Sequence, residues 1–174
     1  VYRHSMYASY YVYDFKSKRL IPLRVGNKQM LPRFSPNGAS IAYVSDNNLY
    51  IDQLNTSTTF TVTKDGSWNS IKNGWADWVY EEEFSKPDYF CWSIDGSHLA
   101  YVRFDETQVA TYQLDFYQGQ LYPKAYTFKY PKAGMQNSKV SVHVYNLNNQ
   151  TKRQIDMGSD TDIYIPRLQF TPWN

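Results

Sequence analysis

The sequence has 174 residues and a formal net charge of +2, and this length suffices for one domain with a buried core. Aromatic residues make up 18% of the chain, and its short apolar runs are rich in Val, Ile, Tyr and Thr, which favour strands. The mixed-sign charge without a basic stripe argues against a nucleic-acid or anionic-membrane surface, and no apolar run has membrane-spanning length. The composition therefore predicts an all-β protein.

Two kinds of hairpin alternate along the chain. The first is a strand, a polar turn and a second strand, at 11–15 with 19–20, 48–51 with 58–63, and 143–147 with 153–155. The second carries a repeated turn: Phe-Ser-Pro-Asn-Gly at 34–38 precedes a strand at 41–44, and Trp-Ser-Ile-Asp-Gly at 92–96 precedes one at 99–102. Asn-Gly and Asp-Gly supply the positive φ angles of a hairpin turn. A third copy begins at residue 170 and stops within its turn.

Paired hairpins that recur every few tens of residues indicate the blades of a β-propeller. A β-sandwich is the alternative, but its strands need not carry a repeated turn motif. About two blades and parts of two more are present, fewer than the ~4 to 8 that close a ring. We therefore predict an all-β partial β-propeller, a few four-stranded antiparallel blades that form an open arc.

The segment 77–83, Asp-Trp-Val-Tyr-Glu-Glu-Glu, places three carboxylates directly after an aromatic stretch. Clustered carboxylates repel one another and are costly to shield from water unless a cation neutralises them. The run therefore indicates a site for a positively charged group. A solvated acidic face is the alternative interpretation.

Residues 105–134 interrupt the repeat and are rich in aromatic side chains. The segment is too long and too aromatic for a simple hairpin turn, and exposed aromatic surface commonly marks a contact region. We interpret it as an extended insertion, an arm that packs on another subunit or domain. The alternative is that it folds back on its own blade.

Cysteine and histidine do not form a pattern typical of a metal site. The single cysteine, Cys91, lies between Phe90 and Trp92, and we expect a buried, inert thiol. The three histidines are far apart, and none has a His or Cys partner at ligand spacing. The sequence predicts neither a metal nor another cofactor.

Several motifs, taken together, resemble the propeller domain of the dipeptidyl peptidase IV family, within the prolyl oligopeptidase superfamily. They are the acidic run 77–83, the segment 92–102, Phe-Asp-Glu-Thr at 104–107 and Tyr-Pro-Lys-Ala-Gly at 130–134. Arg-His-Ser at 3–5 matches a segment on an early blade of that family. The resemblance covers nearly the whole chain.

The resemblance implies an eight-bladed propeller that caps an α/β-hydrolase domain, in an enzyme that releases Xaa-Pro and Xaa-Ala dipeptides from peptide N-termini. It also implies that Glu82 and Glu83 bind the free amino group of the substrate, and that Arg3 lies near them and helps hold a substrate carbonyl. Glu81 is left out of the pair. A peptide ammonium with a pKa near ~8 is mostly charged at neutral pH and can donate charge-assisted hydrogen bonds to two carboxylates.

No Gly-x-Ser-x-Gly motif occurs in the 174 residues. We therefore expect residues 1–174 to be part of the N-terminal propeller domain, with no catalytic residue, and the catalytic hydrolase domain to lie outside them. The start at Val1 indicates a processed product or an excised piece. A non-enzymatic interaction propeller and a tripeptidyl peptidase relative are the alternatives.

The expected partners are a peptide substrate with a free N-terminus, the hydrolase domain of the same protein and a second copy of the parent protein. The resemblance implies the homodimer, because members of the family associate through an arm of the propeller and through the hydrolase domain. The scarcity of cysteine, compared with the disulfide-bearing animal enzymes, favours a bacterial periplasmic or cell-surface protein.

Overall fold

The computed structural model describes residues 2–26 and 28–172. Within these residues the secondary structure consists of antiparallel strands and one short helix. In chain order the elements are β1 (Tyr11–Asp14), β2 (Arg19–Pro22), β3 (Met30–Phe34), β4 (Ser40–Ser45), β5 (Asn48–Gln53), β6 (Thr58–Thr61), β7 (Ile71–Asn73), α1 (Trp78–Glu83), β8 (Phe90–Trp92), β9 (His98–Asp105), β10 (Thr111–Phe116), β11 (Lys124–Lys129), β12 (Lys139–Asn146) and β13 (Thr151–Gln154).

The first complete blade is a four-stranded sheet in the order β3-β4-β5-β6. Its first turn is the predicted Asn-Gly hairpin: Gly38 has a φ of 68°, and the Ser35 hydroxyl accepts the backbone N–H of Ser40 at 3.0 Å. Strand β4 is buried along its whole length, because neighbouring strands flank both of its edges and its two faces pack into different clusters.

The second blade is built around β9. Strand β12 pairs along the full length of one edge of β9, and β13 pairs with β12. Strands β7 and β8 share the other edge of β9, with β7 against residues 103–105 and β8 against residues 99–101. The first strand of this blade is therefore interrupted, and residues 74–89, which carry α1, leave the sheet edge between its two halves.

The base of this excursion is closed by backbone contacts. The N–H of Gly74 donates to the carbonyl of Val102 at 2.9 Å, and the N–H of Tyr89 donates to the carbonyl of Gly74 at 2.9 Å. One residue further into the excursion from each end, Trp75 and Asp88 form an isolated antiparallel bridge. Since both ends of the excursion are bound to the sheet, the loop holds α1 in a fixed position at the blade edge.

Two smaller sheets complete the fold. Strands β1 and β2 form one hairpin, and β10 and β11 form another, inserted in the chain between β9 and β12. All six residues of β10 are exposed. The second hairpin contacts the segment that precedes β7, because the indole N–H of Trp68 donates to the carbonyl of Thr127 in β11 at 3.2 Å.

The main hydrophobic core lies between the two complete blades. It combines apolar side chains of both sheets, including Val44, Leu49 and Ile51 from the first and Phe90, Leu99 and Tyr101 from the second. A second cluster, which includes Tyr80, Tyr89, Val102 and Phe104, lies under α1. Burial of these aromatic rings stabilises the blade edge.

The prediction of an all-β partial β-propeller is confirmed, as are the hairpins predicted between residues 11 and 20, 34 and 63, 92 and 102, and 143 and 155. The predicted third copy of the turn motif is not a strand over residues 170–172, and its last two residues lie outside the described residues. Among the described residues, no helix has the length and apolarity needed to cross a membrane.

Candidate functional site

The acidic run forms the short helix α1, and its N-terminus is capped. The Asp77 carboxylate accepts the backbone N–H of Tyr80 at 2.9 Å and, through its other oxygen, the hydroxyl of Ser138. This N-cap satisfies a backbone donor that the helix itself leaves unpaired. The helix ends at Glu83 with Phe84 as its C-cap, and Ser85 follows with a φ of 52°.

Tyr80 fixes the rotation of α1 about its own axis. Its buried ring meets the edges of Tyr89 and Phe104, with centroid distances of 5.2 and 4.8 Å. Its hydroxyl accepts the backbone N–H of Ile165 at 2.9 Å. Because side chains in a helix project about 100° apart per residue, this anchor determines where the three following glutamates point.

Glu81 points into the protein. Its side chain is 1% exposed, and its Oε1 accepts the backbone N–H groups of His4 at 2.6 Å and Ser5 at 2.8 Å. Its Oε2 is also buried and has no hydrogen-bond partner among the described residues. One carboxylate oxygen thus ties the N-terminal segment to the helix.

Glu82 lies at the surface and pairs with the arginine of the same segment. The distance from Arg3 Nη1 to Glu82 Oε1 is 2.9 Å, and the side chains are 69% and 26% exposed, respectively. The structure therefore brings together Arg3 and Glu82, two of the three predicted site residues.

Glu83 is exposed and lines two clefts. One cleft is shared with Trp78, Tyr130, Lys132 and Tyr164, and the other with Ser85, Lys86 and Arg167. The ring of Tyr130 packs on Trp78 with a centroid distance of 4.2 Å, which places the Tyr-Pro-Lys-Ala-Gly motif beside α1. None of the ion pairs among the described residues includes Glu83.

A buried lysine holds the residue that precedes Arg3. Lys72 is fully buried, and its Nζ donates to the hydroxyl of Tyr2 at 2.7 Å and pairs with Glu106 Oε2 at 3.2 Å. The same Nζ lies 4.5, 5.3 and 4.3 Å from the ring centroids of Tyr2, Trp68 and Trp75. Burial lowers the pKa of Lys72, and the neighbouring carboxylate of Glu106 opposes this shift.

Sequence reasoning missed the roles of Glu81 and Lys72. The sequence signal for Lys72 is weak, because it is a single lysine with a tryptophan a few residues away on either side. Only the structure shows that both tryptophan rings pack on its Nζ. Glu81 is chemically identical to its two neighbours, so only the helical phase distinguishes it. The acidic run is therefore not the uniformly solvated face that was the alternative interpretation.

The cysteine offers no reactive site. Cys91 is half-buried rather than fully buried as expected, and burial raises the pKa of its thiol to about 11. A thiol with so high a pKa is almost entirely protonated at neutral pH and is a poor nucleophile. The prediction of an inert thiol agrees with this environment.

The fold and the site define the class of protein. It is a partial β-propeller in which a helix between the two halves of a blade strand carries three glutamates, one of which pairs with an arginine. Residues 1–174 match the model of the family described as the dipeptidyl peptidase IV (DPP IV) N-terminal region. The chain belongs to this family.

Individual relatives agree with the family assignment. The chain is 39% identical over 155 residues to dipeptidyl aminopeptidase B of Saccharomyces cerevisiae, covering 86% of the chain and 19% of the relative. It is 39% identical over 152 residues to dipeptidyl peptidase 4 of Felis catus, covering 85% of the chain and 20% of the relative. The chain therefore spans about a fifth of the length of these curated relatives.

A solved structure gives the same result. The crystal structure of Porphyromonas gingivalis dipeptidyl peptidase 4 superimposes with a TM-score of 0.92 and 45% sequence identity. The superposition covers 96% of this chain and 24% of that one. The fold described here is thus shared with about a quarter of the Porphyromonas gingivalis chain.

Proposed function

We propose that these residues are the substrate-anchoring part of the propeller of a serine dipeptidyl peptidase, and that Glu82, Glu83 and Arg3 bind the N-terminal end of a peptide. The observation that supports this most strongly is the 2.9 Å ion pair between Arg3 and Glu82, on a helix within an excursion whose two ends are bound to the blade edge. The names of the relatives support a peptidase as the parent protein.

The chemistry of the three side chains suits a peptide N-terminus. An ammonium group donates three hydrogen bonds, and two ionised carboxylates accept them with charge assistance. Glu83 is exposed and pairs with no cation among the described residues, so it is available for this group. Arg3 has further N–H donors that face solvent, and these suit a carbonyl oxygen of the substrate.

Fixing the ammonium determines which peptide bond is cleaved. When the first residue is held at a set distance from a nucleophile, only one bond of the substrate comes within reach. In this proposal the nucleophile is the serine of a hydrolase domain elsewhere in the parent protein, and the products are Xaa-Pro and Xaa-Ala dipeptides. The propeller contributes position, and the hydrolase domain contributes the chemistry.

Kinetics of the full-length protein test this function. Glu82→Gln or Glu83→Gln should lower kcat/KM for an Xaa-Pro anilide on the order of 10²-fold, because a neutral amide replaces an ionic acceptor. The matched substrate is the same anilide with an acetylated N-terminus, which the wild-type protein should cleave poorly and the variants no better. Unchanged kinetics in both variants would remove the basis of the assignment.

Two alternatives predict different results. A non-enzymatic interaction propeller would show no peptidase activity in the full-length protein. A tripeptidyl peptidase would release three residues at a time, so mass analysis of the products from a long peptide separates it from a dipeptidyl peptidase. The relatives named as dipeptidyl peptidases favour the dipeptide products.

The parent protein is further proposed to be a periplasmic or cell-surface homodimer. The similarity to the Porphyromonas gingivalis enzyme supports a bacterial source. The hairpin of β10 and β11 exposes large aromatic side chains, among them Phe116, Tyr117 and Tyr122, which suit a subunit contact. Sedimentation of the full-length protein with these three residues changed to Ser tests the contact, and a dimer that persists unchanged contradicts it.

A further inference from the structure

We infer that Glu81, the buried first glutamate of the run, is a positioning residue that sets the location of Arg3 and acts on substrate only through it. The inference depends on the proposed function of Glu82, Glu83 and Arg3. Its basis is that two successive glutamates of α1 contact the same three residues of the N-terminal segment, 3–5. Glu81 accepts the backbone N–H groups of His4 and Ser5, and Glu82 pairs with the side chain of Arg3.

The tether matters because the segment it holds has little other regular structure. Residues 2–7 belong to no strand, and the first ladder contact is the isolated bridge between Ala8 and Gln29. Arg3 is therefore located by contacts on either side of it: Tyr2 on Lys72, and the amides of His4 and Ser5 on Glu81. The Arg3 side chain in its own ion pair is 69% exposed, and solvent-exposed ion pairs contribute little to holding a segment in place.

The geometry also separates the role of Glu81 from substrate binding. Its side chain is 1% exposed, whereas Glu82 reaches the surface, so a peptide has access to the second carboxylate but not to the first. The two amide hydrogen bonds, at 2.6 and 2.8 Å, are at the short end of the range for N–H···O contacts. Loss of Glu81 would free both amides and release the backbone that carries Arg3.

A double-mutant cycle in the full-length protein tests this coupling. Glu81→Leu, which removes the acceptor but keeps an apolar volume, should lower kcat/KM for an Xaa-Pro anilide on the order of tenfold. In an Arg3→Ala background the same change should cause no further loss, because Glu81 acts through Arg3. The inference would be overturned if Glu81→Leu lowered kcat/KM equally in the two backgrounds, or if Glu81→Leu alone had the kcat/KM of wild type.

Two further variants separate positioning from folding. Glu81→Gln keeps an oxygen that accepts the two amides, and it should restore kcat/KM to within about threefold of wild type. If Glu81→Leu gives no folded protein, Glu81→Asp keeps the charge but withdraws the oxygen by one methylene. Glu81→Asp should lower kcat/KM in the wild-type background and cause no further loss in the Arg3→Ala background. Losses of kcat/KM from Glu81→Asp and Arg3→Ala that add would again contradict the inference.

Asp52→Asn is the matched control. Asp52 is equally buried and also accepts a backbone N–H, that of Arg24 at 3.0 Å, but it belongs to the first blade. It should lower the melting temperature without changing KM, and a loss of kcat/KM equal to that of Glu81→Leu would overturn the inference. If neither Arg3→Ala nor Glu82→Gln changes kcat/KM, the proposed function fails. If those two variants lower kcat/KM and only Glu81→Leu does not, the inference alone fails.

Discussion

Arg3 and Glu82 form an ion pair at 2.9 Å, although a complete four-stranded blade separates them in the sequence. The pair joins the N-terminal segment to a helix that leaves the edge of the next blade. Such a contact contributes little to folding, since exposed ion pairs are worth about 0–1 kcal/mol. We therefore expect the pair to matter more for the proposed binding of a peptide N-terminus than for stability.

Replacement of Arg3 should therefore separate activity from stability. Arg3→Ala in the full-length protein is expected to lower kcat/KM for an Xaa-Pro anilide on the order of tenfold, while the melting temperature changes by no more than about 2 °C. Steady-state kinetics and a thermal melt on the same preparation check both values. A large drop in melting temperature with unchanged kinetics would instead assign the pair a structural role.

Lys72 and Glu106 should depend on each other for stability. Both are fully buried, and burial raises the pKa of Glu106 while it lowers that of Lys72. Lys72→Met leaves the carboxylate of Glu106 without its partner, which costs about 3–5 kcal/mol in comparable buried pairs.

The double variant Lys72→Met with Glu106→Gln removes both charges and should be more stable than Lys72→Met alone. Chemical denaturation of the two variants measures the difference. A double variant less stable than Lys72→Met would show that the two residues contribute independently.

Asp88 should contribute to stability only above acidic pH. Its carboxylate is partly desolvated, but Lys86 at 3.0 Å and Arg33 at 3.1 Å more than offset this and lower its pKa. A carboxyl whose pKa is lower in the folded state adds stability above its unfolded pKa of about 3.9, and this stability is lost as the pH falls through the folded value.

Asp88→Asn is therefore expected to lower the melting temperature at pH 7, with the difference from wild type shrinking below about pH 4. Thermal melts from pH 3 to pH 7 measure this trend, at about equal ionic strength. A difference that stays constant over the whole range would show that the charge of Asp88 is not the cause.

Gly74 should tolerate no side chain. It has a φ of 74°, and a Cβ there would lie 2.7 Å from a methyl group of Leu49 on the neighbouring blade. Gly74→Ala therefore combines backbone strain with a clash at the core, and we expect a loss of roughly 2–4 kcal/mol.

Gly134→Ala is the control for backbone strain alone, because Gly134 also has a positive φ but faces open space. It should cost about 1 kcal/mol. Denaturation curves of the two variants compare the costs, and equal losses would show that the contact with Leu49 is unimportant.

The strands and turns could be predicted from the sequence because their signals are local. Gly38 and Gly96 have the positive φ angles that their turn motifs require, and the strands after them are largely buried. The proximity of Arg3 to Glu82 was implied only by the family resemblance, since no local pattern connects residues so far apart.

The rest of the site depends on tertiary packing. Nothing in three consecutive glutamates indicates that Glu81 faces inward, because this follows from the packing of Tyr80 on Tyr89 and Phe104. The interruption of the first strand between β7 and β8 was also not foreseen. It depends on both halves pairing with the same edge of β9, which is a long-range contact.

A crystal structure of the full-length protein with an uncleaved peptide bound tests the central claim most directly. We predict the peptide's ammonium group within about 3 Å of carboxylate oxygens of both Glu82 and Glu83, with Arg3 close to a peptide carbonyl. A peptide whose N-terminus lies away from both glutamates, while its scissile bond occupies the catalytic centre, would contradict the claim.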